Sequence, residues 1–423
     1  MNKGPHVLVL AASLGKRLNS SLPKVLTPVL FRPLVHYALD LVAGLPHQSV
    51  GVIVAPGDQD VRERCRPYEG LQFLRQGPHG ETLPALRAAE AHMREPEADV
   101  LVLRGDMVYL EAEPVRELLA RHARARALCT VGEGALCFRK KALLSAAAEA
   151  AAKAGKEGNL FVEAAHALAS GRGRSARPGT GAVLAVNDLL ELCHAEEVLR
   201  ERINRAWLGK GVFLQDPRST FIDPRTSIGR DVRIEAGTFL INSVLEPGVK
   251  VEGSCRIVDS QIGEGTTIKQ GSYIEKSHVG HDCRVGPYAH LRPGTHLENA
   301  VSIGNFVEVK KSFIGTGTKA SHLSYIGDAQ VGMNVNVGCG FITCNFDGGP
   351  VKQRTIIEDF VFIGSDSQTV APVKLGARSY VASGTTVTEN VPPDSFAISR
   401  GRQVTKVGYA KKYRRKPSAA AHR

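Results

Sequence analysis

His322, in Ser321-His322-Leu-Ser-Tyr325, is the residue of this chain best suited to move a proton. Imidazole titrates near neutrality, so His322 could deprotonate an amine and free its lone pair for attack on an acyl carbon. Arg292, Lys310 and Lys352 are cations of the kind that hold a phosphate monoester. Tyr325 and Asn336 offer donors and acceptors to sugar hydroxyls, and Asn345 could orient an amine beside the base. An isolated histidine is more often a satisfied surface or corner residue; what singles out His322 is this company. His290 and His296 lack it and are read as structural.

These residues need a scaffold that brings distant segments together, and the second half of the chain has one. From about residue 218 aliphatic residues recur at every sixth position, as in Ile228, Ile234 and Leu240, then Ile262, Ile268 and Ile274, then Leu375, Val381 and Val387. Many are followed by glycine, as in Ile262-Gly263, Val279-Gly280 and Ile303-Gly304. A hexapeptide period predicts a parallel β-helix, each six residues forming one face and three faces one coil. The aliphatic residue points inward, and the glycine is expected to supply an unusual φ at the corner. The repeat is interrupted between Ala289 and Lys352, the stretch that holds the candidate residues. Since a β-helix is only a scaffold, function must come from such interruptions and from outward side chains.

The first half alternates short apolar runs with helical patterns. His6–Leu10, Val50–Ala55 and Asp99–Leu103 read as strands covered on both faces, and Leu34–Ala43 and Thr82–Glu95 as helices. This alternation predicts a doubly wound, Rossmann-like parallel sheet with its chemistry at the carboxyl ends of strands. Val131-Gly132-Glu133-Gly134 is expected to lead straight into an Ala-rich helix over 143–170, and Glu191–Trp207 reads as a connecting helix.

The chain has 423 residues, 43% of them hydrophobic, enough for two or three domains with their own cores. No apolar run approaches the ~20 residues of a membrane span, and no signal peptide is evident, so a cytoplasmic protein is expected. The formal charge of +12 is concentrated at one end: Arg400–Arg423 carries nine Lys and Arg and no acid, leaving about +3 on the rest. With two aromatics, Tyr409 and Tyr413, and no recognised module, this tail does not point to nucleic acid. The eight cysteines show no CxxC and no histidine at zinc spacing, so reduced thiols are expected and structural zinc is not.

The blocks His290-Leu-Arg292-Pro-Gly, Gly304-Asn305-Phe-Val-Glu308-Val-Lys310-Lys311, Ser321-His322-Leu-Ser-Tyr325-Ile-Gly-Asp328 and Thr343-Cys-Asn345-Phe346-Asp347-Gly348 resemble the acetyltransferase domain of the bacterial GlmU family. That family is bifunctional, with N-acetylglucosamine-1-phosphate uridyltransferase and glucosamine-1-phosphate acetyltransferase activities. The resemblance runs nearly gapless from about 285 to 403 and implies a left-handed β-helix, a homotrimer and active sites shared between subunits. It casts His322 and Asn345 as catalytic, and Arg292, Lys310, Tyr325, Asn336 and Lys352 as substrate-binding. It places acetyl-CoA along Cys339, Ser365, Ser383 and Arg400. Cys339 and Ser383 stand where alanine is usual, and Phe346 where tyrosine is usual, which implies altered affinity rather than lost activity. The basic tail could hold the coenzyme's phosphates, or be a solvated end.

Residues 8–18 and Leu22-Pro23-Lys24-Val-Leu26 resemble the nucleotidyltransferase signature of the same family. The likeness casts Arg17 and Lys24 as the cations at the leaving pyrophosphate and Gln76 and Thr82 as readers of uracil. It makes Asp106 and Asn187 the protein ligands of Mg²⁺. The departures are large. Ser13 and Lys16 replace a loop glycine and a threonine, Glu81-Thr82-Leu83-Pro84 replaces a Gly-Thr-Gly-His loop, and Gly132 falls where a sugar-binding asparagine is expected. The interval from Asp106 to Asn187 is also several tens of residues short, and the sugar-binding segment is missing from it.

The expected organisation is a shortened nucleotidyltransferase-like domain over 1–190, a connecting helix over 191–217, a left-handed β-helix over 218–399 and a basic tail over 400–423. The expected activity is acetyl-CoA-dependent N-acetylation of glucosamine 1-phosphate, in UDP-N-acetylglucosamine and cell-wall precursor biosynthesis, with reduced or no uridylyl transfer. The rivals are a fully bifunctional enzyme, a non-catalytic β-helix scaffold, and acetyl transfer to another amino sugar.

Overall fold

The computed structural model describes residues 4–12, 18, 20–77, 83–90, 93, 98–108, 111–132, 134–153 and 186–412. The chain divides into two compact units, Met1–Ala206 with Phe221–Pro224, and Trp207–Thr220 with Arg225–Arg423.

Among the described residues the first unit holds a six-stranded sheet in the spatial order Leu71–Arg75, Ser49–Val54, His6–Leu10, Asp99–Arg104, Ala135–Arg139, Cys129–Val131. Alternation along each strand sends side chains to both faces, and helices cover both. Val7 and Val9 pack with Val35, Leu39 and Val42 of the helix Leu34–Ala43 and with Val115 and Leu118 of the helix Ala112–Ala125. Leu8 and Ile53 pack with Leu86 and Ala89 of the helix Leu83–Glu90 and with Leu143 and Ala147 of the helix Lys140–Lys153. The first four strands are parallel, as the alternation predicts.

The last two strands depart from that expectation. Ala135–Arg139 runs antiparallel to both Asp99–Arg104 and Cys129–Val131, because a tight turn joins it to the preceding strand. Gly132 N donates to Ala135 O at 2.9 Å, and so short a link cannot make a parallel crossover. The expected helix after Gly134 therefore begins only at Lys140, and its stretch beyond Lys153 lies outside the described residues. The helix Leu189–Gly209 buries Ala195 and Leu199 against Val29, Leu30 and Leu34 of the first unit.

The second unit is a left-handed parallel β-helix with three faces. Face one begins at Ser227–Ile228, face two includes Arg233–Ile234, and face three includes Phe239–Ile241. Ile228 pairs with Leu245 and Leu245 with Ile262, an advance of 17 residues per coil. The inward residues Ile234, Val251, Ile268, Val285, Ile303 and Ala320 are each at most 1% exposed and form one continuous column. One coil is far longer than the rest, since Val337 pairs with Ile363, 26 residues on. The excess forms the segment between Ile342–Cys344 and Thr355–Ile357, which carries Asn345 and Lys352.

Most glycines that follow the inward aliphatic residues do not have the expected unusual φ; Gly229, Gly263, Gly280, Gly304 and Gly332 are absent from the positive-φ positions of the described residues, whereas Gly286, after Val285, has φ 103°. The others are required for a different reason. A Cβ on Gly263 would come within 2.6 Å of the Gly280 carbonyl, and one on Gly229 within 2.7 Å of Pro247 N. The constraint is the approach of the next coil, and the left-handed conformation falls further round the turn, as at Asp282 (φ 55°) and Gly265 (φ 68°).

Gly263→Ala should therefore destabilise the protein by about 1–3 kcal/mol through overpacking. Gly209→Ala should stay within about 0.5 kcal/mol of wild type, because its Cβ would meet no atom outside its own helix within 4 Å. Denaturant unfolding of the two variants measures the difference.

Candidate active site

The turn from face two to face three carries a column of outward residues. On successive coils it holds Asn305 and His322, which end their face-two strands, then Cys339, Ser365 and Ser383, two residues past theirs, and Arg400 follows the matching residue Ser399 of the last coil. Backbone hydrogen bonds join these turns, from Leu323 N to Asn305 O at 3.0 Å, Asp366 N to Cys339 O at 2.7 Å and Gly384 N to Ser365 O at 2.8 Å. Arg400 Nη1 donates to Ser383 O at 2.7 Å. The base candidate and all four residues expected along acetyl-CoA thus lie on one corner. His322 is exposed, and its Nδ1 lies 2.8 Å from Asn305 Oδ1.

Face three begins one turn later with Tyr325 and ends at the cations. Arg292 follows the strand His290–Leu291, and Lys310 closes the strand Glu308–Lys310 of the next coil. Lys352 belongs to the long segment. The charges of Lys352 and then of Arg292 hold the Lys310 ammonium below the usual lysine range, so the structure does bring the three together. Arg292 Nη1 also donates to Glu308 Oε1 at 2.7 Å. Glu308 offsets only part of this positive charge, and the surplus makes a site for an oxyanion, whose binding would relieve the repulsion.

Asn345 is buried beside Tyr325. Its Nδ2 donates to Asp328 Oδ2 at 2.6 Å and lies 3.4 Å from the Tyr325 hydroxyl, leaving the amide oxygen to accept from a ligand. Asn336 sits on face two between Lys319 and Phe362, away from this cluster. Phe346 is exposed. His290 stacks on Tyr273 at 5.0 Å and His296 between His278 and Phe313 at 4.5 and 5.2 Å, which accounts for both as parts of ring ladders.

The sequence reading missed Asn305, Glu308 and Asp328, the hydrogen-bond partners of His322, Arg292 and Asn345. A signal was available in the coil period. Asn305 precedes His322, and Asp328 precedes Asn345, by 17 residues, so each pair stacks in one column.

In the first unit Lys24, Asp106 and Asn187 come together, Gln76 lies just past the strand Leu71–Arg75, and Arg17 and Thr82 lie outside the described residues. Lys24 Nζ donates to Asp106 Oδ2 at 2.5 Å and to Asn187 Oδ1 at 2.8 Å. Arg104, two residues from Asp106, donates Nε to Oδ1 at 2.9 Å and Nη2 to Oδ2 at 2.8 Å. Burial would raise the Asp106 carboxyl, but the hydrogen bonds and charges of Arg104, then of Lys24, outweigh it and hold the group below the usual carboxylate range. Every oxygen that the pair would turn toward a divalent cation already faces an ammonium or a guanidinium. As arranged, these residues do not fit Mg²⁺.

A nucleotidyltransferase-type sheet domain in series with a hexapeptide β-helix bearing a histidine-centred corner defines a two-domain transferase. The comparisons agree on both parts. Residues 7–168 match the MobA-like NTP transferase domain, and residues 354–389 the hexapeptide repeat of succinyl-transferase. The Bifunctional protein GlmU of Shouchella clausii is 33% identical, covering 97% of this chain and 99% of its own length. Those of Listeria monocytogenes serovar 1/2a and Trichlorobacter lovleyi are 35% identical, each covering 96% of this chain and 98% of their own. The chain belongs to the GlmU family.

Arg104→Leu frees both Asp106 oxygens from the guanidinium and should bind Mn²⁺ more tightly than the wild-type chain. Titration followed by electron paramagnetic resonance checks this; equal affinity in the two would contradict the blocking role of Arg104.

Proposed function

We propose that the β-helix transfers the acetyl group of acetyl-CoA to the amine of glucosamine 1-phosphate. The observation that carries this reading is the pairing of an exposed histidine corner, continuous with the column Cys339, Ser365, Ser383 and Arg400, with a trio of cations beside Tyr325 and Asn345.

In this reading Arg292, Lys310 and Lys352 hold the sugar phosphate and Tyr325 meets a sugar hydroxyl, while Asn336, on face two, serves the sugar held by a neighbouring subunit. The thioester lies along the corner with its carbonyl near His322. His322 removes a proton as the nitrogen attacks, so an N–C bond forms, the C–S bond breaks and the coenzyme thiolate leaves with a proton. Asn345, fixed by Asp328, accepts from the amine and aims its lone pair. The working form on this proposal is a homotrimer whose neighbouring subunit completes each site. The setting is a cytoplasmic one, in the making of UDP-N-acetylglucosamine for cell-wall precursors.

The nucleotidyltransferase-like half, on this proposal, has little or no uridylyl transfer. Arg104 and Lys24 occupy the carboxylate that a metal would need, and the chain is shorter than its relatives. The alignment to the Shouchella clausii protein spans 455 positions yet takes up 97% of this chain, so some tens of positions face a gap.

Release of coenzyme thiol from acetyl-CoA in the presence of glucosamine 1-phosphate tests the acetyl transfer. His322→Ala should lower the rate about 10²- to 10⁴-fold, the usual range for a general base; an unchanged rate would favour a non-catalytic scaffold. Lys310→Ala should raise KM for the sugar phosphate about 10- to 100-fold, as loss of a charged hydrogen bond does, and leave KM for acetyl-CoA unchanged.

A further inference from the structure

We propose that Asn305 is the positioning residue that fixes which nitrogen of His322 acts as the base, an inference that rests on the acetyl-transfer reading above. The face-two strands at Arg233–Ile234, Lys250–Val251, Thr267–Ile268 and Arg284–Val285 are each two residues long. At Ser302–Asn305 and Lys319–His322 they lengthen to four, and pairing extends to Asn305 opposite His322. The lengthening needs Gly304, where a Cβ would collide with the Ser321 carbonyl of the adjoining strand. The corner keeps the left-handed residue of the regular coils, such as Ser254 and Tyr288, here Phe306 at φ 55° and Leu323 at φ 44°. Ser324 Oγ anchors the His322 carbonyl at 2.8 Å. The local irregularity of the coil therefore has one outcome at the site, which is to set Asn305 Oδ1 2.8 Å from His322 Nδ1.

A neutral imidazole carries one N–H and one lone pair. An amide oxygen at Nδ1 selects the tautomer with its proton there, so the lone pair is on Nε2. The acceptor is also uncharged. A carboxylate in its place would favour the imidazolium and raise its pKa, whereas an amide orients the ring without doing so. The flanking strands Ser302–Asn305 and Asn336–Val337 carry no ionisable side chain, Lys319 is the charged residue on the strand of His322 itself, and the thiol of Cys339 lies one coil on at the position matching His322.

The test is steady-state thiol release by the full chain against pH, for Asn305→Ala and the near-isosteric Asn305→Asp. Asn305→Ala should lower kcat about 10- to 100-fold, the size of effect seen when a supporting hydrogen bond is lost, with both KM values within about twofold of wild type. Asn305→Asp keeps the side chain's volume and the acceptor. It should recover most of kcat at high pH and move the acid limb of the kcat/KM profile upward by about one unit. Wild-type kcat in Asn305→Ala, or an unmoved acid limb in Asn305→Asp, would overturn the positioning role while leaving His322 as the base. Full activity in His322→Ala would overturn the underlying reading, and this proposal with it.

Discussion

The separation between successive coils of the β-helix governs both its stability and its surface. Strands of one face are hydrogen-bonded in register, so equivalent residues of neighbouring coils lie about 5 Å apart. That approach admits no Cβ at Gly229, Gly263 or Gly280, and it turns a sequence interval of 17 residues into a contact. The candidate site is written in that interval. Asn305 meets His322, Asp328 meets Asn345, the corner residues Cys339, Ser365 and Ser383 continue the column of His322, and Arg400 reaches back to the Ser383 carbonyl. A regular coil would give only a ladder of repeated contacts, such as the stacked rings of Phe362, Tyr380 and Phe396. Chemistry enters where regularity fails, at the four-residue strands around His322 and at the 26-residue coil that carries Asn345 and Lys352.

The fold was legible in the sequence because its two periods are strong. The six-residue recurrence of Ile, Val and Leu marks the β-helix, and the apolar runs His6–Leu10, Val50–Ala55 and Asp99–Leu103 mark the sheet within a residue of the observed strands His6–Leu10, Ser49–Val54 and Asp99–Arg104. What misled was local. Glycine after an aliphatic residue looks like a turn signal, yet the contact that demands it lies a full coil away. The turn at Gly132 looks like a lead into a helix, and the strand Ala135–Arg139 that it introduces is short and pairs with a strand from elsewhere in the sheet. Residue types together with the family resemblance marked His322, Tyr325 and the cations, whereas the residues that orient them became visible only once the coil length was known.

In the first unit Lys24, Asp106 and Asn187 meet, and Arg104 turns back on Asp106 from two positions earlier. A side chain at that spacing shares the outlook of its neighbour at a strand end, so Arg104, together with Lys24, leaves the Asp106 carboxylate already neutralised.

The central claim is that the β-helix works while the sheet domain does not carry its product further. One reaction examines both halves together: the full-length protein with acetyl-CoA, glucosamine 1-phosphate, UTP and Mg²⁺, its sugar products identified by mass spectrometry. The account predicts that N-acetylglucosamine 1-phosphate accumulates and UDP-N-acetylglucosamine does not form. Appearance of the nucleotide sugar, or an amino sugar left unacetylated, would contradict it.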